Sequence, residues 1–257
     1  MLSVIVPFYQ PRQSWPGRPW VDRRAQLATW LMLTPKYLDT QRRDWEIIVC
    51  EQAEDPLDQF NRGRSRSVGL SLAQGDQVCF HDCDYVPLEA DYTDCHQPTR
   101  LILDGIRDKM VDLRAFFGGV VQMQTAQARQ AGGYSLEFTH WGYEDTDFRD
   151  RLMAQGFGIE HRQGRYRSLD HAAQGFDPQG QPHADTLRMR DIYLAHTVKT
   201  QRIQQLEDSW QTMDVEIVSE EQLSVTDRSI KLVQYQFHDR GPCTGLSNCD
   251  PCSQTPM

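Results

Sequence analysis

Short apolar runs rich in β-branched residues alternate with stretches of helical periodicity through the first two thirds of this chain. That alternation is the strongest constraint on the fold, because it is the pattern of strands joined by crossover helices and so of an α/β sheet. Leu2 to Phe8 is expected as the first strand. A helix starts near Asp22, carries Leu27, Trp30 and Leu31 on one face and is broken by Pro35, after which Trp45 to Cys50 reads as the second strand. Val68 and Leu72 have helical spacing within Asn61 to Ala73, Gly75 ends that segment, and Gln77 to His81 reads as a third strand. Leu101, Ile102, Ile106 and Met110 predict a helix, Phe116 to Gln124 a strand, and Glu144 to Gln155 a helix with Phe148, Leu152 and Met153 at helical spacing. The last third reads as a helix over Thr186 to Leu206 and short strands at Val215 to Val218 and Ile230 to Phe237. Arg240 to Met257, with Cys, Pro and small polar residues, is expected as a tail, so the division is one domain over residues 1–239 and a Cys-containing tail over residues 240–257.

The 257 residues, 39% of them hydrophobic, suffice for one sizeable core. A net charge of -9 argues against nucleic acid or an anionic membrane as partner. No stretch approaches the roughly 20 apolar residues of a membrane span, and with Leu2 to Phe8 read as a strand no signal peptide is expected. The seven cysteines do not look like a secreted disulfide framework, so a reducing cytoplasm is expected.

Three clusters carry chemistry. Asp82-Cys83-Asp84 follows the third strand, which puts two carboxylates at a strand's carboxyl end, where open α/β sheets bind ligands. Such a pair can offer hard oxygens to Mg²⁺ or Mn²⁺; a strand-end turn with solvated acids has the same spacing. Phe60-Asn61-Arg62-Gly63 opens a helix, where backbone N–H groups and Arg62 can address a pyrophosphate, although a solvated arginine fits there too. Trp141-Gly142-Tyr143-Glu144-Asp145-Thr146-Asp147 sets acids beside aromatics that can stack on sugar rings, and a carboxylate so placed can act as general base. Acids at a helix start also complement its dipole, which would explain Glu144 or Asp147 but not Trp141 and Tyr143. In the tail, Cys249 and Cys252 could ligate zinc with Cys243 and His238, but their spacing fits no familiar finger, and a disordered tail or a local disulfide is the simpler reading.

Taken in order, Val6-Pro7-Phe8 with Arg12, Glu51-Gln52, Phe60-Asn61-Arg62, Val68-Gly69, Asp82-Cys83-Asp84 with Pro87, Phe117-Gly118-Gly119, Trp141-Gly142 before Glu144-Asp145, His171 and Ala195-His196-Thr197 resemble the β-1,4-galactosyltransferase family. The resemblance runs from Val4 to about Phe237 and points to a soluble, bacterial-type member. It implies an α/β fold of the glycosyltransferase-A type, with a central mixed sheet, and transfer of galactose from UDP-galactose to a carbohydrate or glycoconjugate acceptor with inversion. Pro7, Phe8, Arg12, Phe60, Arg62, Asp82, Phe116, Gly119 and Trp141 are then donor contacts, and Trp141, Tyr143, Glu144 and Asp145 face the acceptor. Asp145 is the implied catalytic base. Asp84 and His171 are the implied ligands of Mn²⁺, with Mg²⁺ the alternative.

The chain departs from the family pattern in places. Ser168 and Ala173 stand where relatives supply a further metal ligand, Thr146 replaces an acid, and Phe116 replaces a tyrosine that helps select galactose. The last change keeps open an N-acetylgalactosamine donor, and the first keeps open a sugar-binding protein without turnover. His81, His140 and His196 are expected to be structural.

Overall fold

The computed structural model describes residues 1–12, 20–42, 44–53, 60–101, 117–169, 181–198, 213, 215–225 and 228–237. Its centre is an eight-stranded mixed sheet. β1 (Leu2–Phe8) pairs in parallel with β2 (Trp45–Gln52) and β3 (Gln77–His81), the arrangement expected of two successive β-α-β units. Outside β3 lie the antiparallel β6 (Val120–Gln124), then β5 (Thr99–Arg100) and β7 (Glu160–His161). Outside β2, β10 (Arg228–Phe237) runs parallel to it and β9 (Val215–Val225) closes the edge antiparallel. The strand order is β7-β5-β6-β3-β1-β2-β10-β9. β4 (Tyr85–Glu89) and β8 (Arg165–Ser168) form a separate two-stranded sheet.

β1 is buried on both faces, and its period of two divides it between two cores. Leu2, Val4, Val6 and Phe8 pack with α1 (Arg23–Gln41) and the small sheet. Ile5 faces the other side, with α2 (Arg62–Leu72), α3 (Thr125–Gln130) and α4 (Glu144–Ala154). On that side Gly69 lets α2 lie directly on the sheet: a Cβ there would collide with Ile5 Cγ2 and come within 3.1 Å of Cys50 Sγ. α5 (Ala184–Val198) packs against α4.

Several expectations need correction. Pro35 does not end the first helix, which continues to Gln41 with Pro35 inside it. An interior proline costs about 3 kcal/mol. The second half is nevertheless anchored, by fully buried Leu38 and by Tyr37, whose hydroxyl donates to the Ala90 carbonyl (2.9 Å) and accepts from the Ala90 N–H (2.7 Å). Leu101 follows β5 in extended backbone, its N–H bonded to the Val120 carbonyl at 3.0 Å, instead of starting a helix; Ile102, Ile106, Met110 and Phe116 lie outside the described residues. The strand read from Phe116 begins at Val120. Met153 is 55% exposed and no part of the core, and the two late strands form one long hairpin. β4, β5, β7, β8 and α3 were not anticipated. The tail and residues 199–212 lie outside the described residues, and no described helix is long and apolar enough to cross a membrane.

Candidate active site

The carboxyl ends of β1, β2 and β3 and the N-termini of α1 and α2 converge on one side of the sheet. Asp22 caps α1 by accepting from the Ala25 N–H (3.0 Å), and Asn61 caps α2 by accepting from the Arg64 N–H (2.8 Å). Each cap places an arginine at the first helical position, Arg23 and Arg62, beside the strand ends.

Asp82 and Asp84 stand just beyond β3. The Asp82 N–H donates to the Gly119 carbonyl (2.9 Å), so the turn before β6 lies against it; Gly119 adopts φ 81°, which a side chain would strain. The buried His81 ring donates from Nδ1 to the Asp82 carbonyl (3.0 Å) and accepts at Nε2 from the Tyr92 hydroxyl (2.9 Å). Burial pushes its pKa down to about 4, so it is neutral near pH 7 and acts as a brace, as expected of it. Asp84 is buried at 6% exposure and meets Arg23 Nη1 at 3.5 Å. The Leu169 N–H donates to the Asp84 carbonyl (2.7 Å), so the chain reaches Asp84 two residues before His171, itself outside the described residues.

Glu144 and Asp145 open α4. Tyr143 precedes them at φ 70°, the sole non-glycine residue with positive φ among those described, and the Gly142 N–H donates to Glu144 Oε2 at 3.2 Å. With Asp147 the two acids fill the first turn, where the helix dipole favours negative charge. Arg62 Nη1 approaches Glu144 Oε1 at 3.6 Å. Arg66, one turn further along α2, links the two acid groups: Nη1 donates to Asp145 Oδ1 (2.6 Å) and Nη2 to Asp82 Oδ1 (3.0 Å). Burial opposes the Arg66 charge, but Asp145, Tyr134, Asp82 and Glu144 outweigh it and raise its pKa. For Asp145 burial dominates. Glu144 and Asp82 add to that effect against the pull of Arg66 and Arg62, and the carboxyl is pushed up to about 7.

The structure thus brings together Arg62, Asp82, Gly119, Glu144 and Asp145 from four separate segments. Pro7 and Phe8 lie buried in β1, with the Phe8 ring wholly in the core; the ring stacked on Phe60 is Tyr9, at 5.7 Å and 14°. Arg12 is exposed beyond β1, and the arginine found at Asp84 is Arg23. Trp141 is half-buried in the loop before α4, where His140 Nε2 lies 3.6 Å from Asp185 Oδ2 and Tyr143 stacks on Tyr193 at 5.5 Å. Phe116 lies outside the described residues. Sequence reasoning missed Arg23 and Arg66. The signal for Arg23 was its place directly after the Asp22 cap, and for Arg66 its spacing of four from Arg62 on a helix whose one other charged residue is Arg64.

A family model described as the N-terminal domain of galactosyltransferase matches residues 108–172, the segment holding Gly119, Trp141, Glu144, Asp145 and His171. Human β-1,4-galactosyltransferase 6 is 29% identical over 167 residues, covering 61% of this chain and 43% of the relative. Mouse β-1,4-galactosyltransferase 1 is 28% identical over 211 residues, covering 77% of this chain and 50% of the relative. The chain therefore spans about half the length of these curated relatives or less. The catalytic domain of Drosophila β1,4-galactosyltransferase 7, solved in complex with xylobiose, superposes with a TM-score of 0.65 at 18% identity, covering 92% of this chain and 94% of that one. A mutant of that enzyme in complex with manganese, UDP-Gal and xylobiose gives a TM-score of 0.62 at 16% identity, with the same coverage. Mixed sheet, flanking helices and the strand-end site define a fold of the glycosyltransferase-A type. Within that class the sequence matches point to one group of relatives. Over these segments the chain is similar to the β-1,4-galactosyltransferases.

Proposed function

We propose that this chain is an inverting, metal-dependent glycosyltransferase that moves galactose from UDP-galactose to a hydroxyl of a carbohydrate or glycoconjugate acceptor. The observation that carries the reading is the convergence of Asp82, Glu144 and Asp145 on Arg62 and Arg66 at the carboxyl ends of parallel strands, with Asp84 and Arg23 beside them. Two capped helix N-termini and two arginines suit a diphosphate, because N–H groups and guanidinium forks both favour phosphate oxygens. The Tyr9 and Phe60 rings suit the flat face of a uracil or a sugar. UDP-Gal, manganese and a sugar acceptor accompany the Drosophila neighbour, which agrees with this substrate class.

The donor set at the end of β3 suits a divalent ion. Asp84 offers a hard carboxylate, and the chain leading to His171 is hydrogen-bonded to its backbone. Asp84 and His171 would hold the ion. When bound, the ion neutralises the charge that develops on the leaving diphosphate. Asp145 accepts the proton of the acceptor hydroxyl as that oxygen bonds to the anomeric carbon and the bond from that carbon to the diphosphate oxygen breaks, on the opposite face. A carboxyl pushed up to about 7 by burial has a basicity suited to this transfer at neutral pH. Closure of the loop that carries Trp141, with Gly142 at φ 107° beside it, would cover the site and limit water. Residues 1–239 form the catalytic domain and 240–257 a tail, and the buried free thiols of Cys50, Cys79, Cys83 and Cys95 suit a reducing cytoplasm.

The test is release of UDP from a panel of UDP-sugars with Mn²⁺, with and without acceptor sugars. Galactose should be the preferred donor and the acceptor should raise the rate. Saturable sugar binding with no UDP release from any donor would refute the reading.

A further inference from the structure

Arg66 is 1% exposed, yet its charge serves no surface. Its guanidinium lies 4.6 Å from the Tyr134 ring, which is itself held between Phe80 (5.0 Å) and Phe148 (4.3 Å). From that seat the planar fork spans two segments. One nitrogen meets Asp145 at the start of α4, the other Asp82 at the end of β3. We propose that Arg66 is the positioning residue of the transfer reaction, fixing the Asp145 carboxylate relative to the donor side by bridging it to Asp82 and leaving Asp145 Oδ2 to receive the acceptor's proton. This rests on the reading of Asp145 as base.

The geometry requires an arginine. A lysine ammonium is a point charge on a flexible stem and cannot present two parallel donors to carboxylates on different elements. The stacked ring fixes the plane of the fork and excludes water from its back, so the Asp145 rotamer is set before any substrate arrives. The charged groups acting on Asp145 are Arg66 and Arg62 from α2, Glu144 from its own helix, Asp82 from the end of β3 and Arg100 from β5. Without Arg66, three acids would keep only Arg62 and Arg100 of these cations, and Asp145 would hold its proton more tightly as well as lose its orientation.

The experiment compares wild type with Arg66→Met and Arg66→Lys. In Arg66→Met, kcat should fall roughly 10²-fold, on the scale of a disabled general base, while UDP affinity by calorimetry stays within about threefold. The acid limb of the pH profile should move up by about one unit, and added guanidinium ion should restore part of kcat. Arg66→Lys should keep the limb near its wild-type position yet recover only part of kcat, since it keeps the charge and loses the fork. Carboxyl ¹³C NMR, with Asp145→Asn to assign the signal, reads the Asp145 titration without any turnover. If Arg66→Met does not fold, as circular dichroism would show, the same comparisons on Arg66→Lys decide the matter through kcat at a constant limb. Loss of UDP affinity with an unmoved limb and an unmoved Asp145 signal would overturn the proposal and leave Arg66 a structural residue. A wild type that releases no UDP would instead refute the functional reading, and the NMR titration would still decide whether Arg66 holds Asp145.

Discussion

The pH dependence of turnover follows from the seat of Asp145. Its side chain is 14% exposed, and burial pushes the carboxyl from 3.8 up to about 7 against Arg66 and Arg62. A general base works only when ionised. An acid whose folded pKa is raised loses that form as pH falls through the raised value, so kcat/KM should rise to a plateau above about 7. One unit below the pKa about a tenth of the molecules carry the carboxylate, and two units below about a hundredth, which predicts roughly tenfold and hundredfold losses in rate. The same shift has the opposite sign for the fold: the Asp145 contribution to ligand-free stability is fully present below the ordinary carboxylate value of 3.8 and is lost as pH rises through about 7. The assay is UDP release from UDP-galactose with acceptor across this range, at fixed Mn²⁺. Glu144→Gln removes a negative neighbour of Asp145 and should move the limb to lower pH, whatever it does to the plateau. An acid limb near 4, or a limb that Glu144→Gln leaves in place, would refute the assignment.

Asp145→Asn should bind UDP as the wild type does and lose roughly 10²-fold or more in turnover; near wild-type kcat would exclude the role. Chelator should abolish activity and Mn²⁺ should restore it better than Mg²⁺, because an imidazole ligand favours the transition metal. Calorimetry should find Mn²⁺ bound more tightly with UDP than without it, and His171→Ala should weaken that binding. Gly69→Ala forces a methyl into Ile5 and Cys50, so urea unfolding should register a loss of about 1–3 kcal/mol, as overpacking typically costs. Phe148→Ala empties the contact with Phe80 and Tyr134 and should cost about 3–5 kcal/mol, with α4 the element loosened.

The sequence by itself determined the local structure where a single period prevailed. β1 and β3 fall on their apolar runs to the residue, and the Asp22 and Asn61 caps start α1 and α2 as their side chains allow. The strand-end placement of Asp82 and Asp84 was legible too, because it depends only on β3 ending at His81. Pro35 was misread because a local rule yielded to packing: Leu38 and Tyr37 hold the second half of α1 against the core. β5 and β7 are two residues long and leave no periodicity to read. Only the tertiary structure could decide which charges meet. Arg66 and Asp145 are 79 residues apart, and Arg23 and Asp84 are 61 apart; nothing in their local sequence couples them. Their pairing follows from the parallel register of β1, β2 and β3, which gathers the helix starts at one end of the sheet, and from burial, which makes an unpaired charge there too costly to keep.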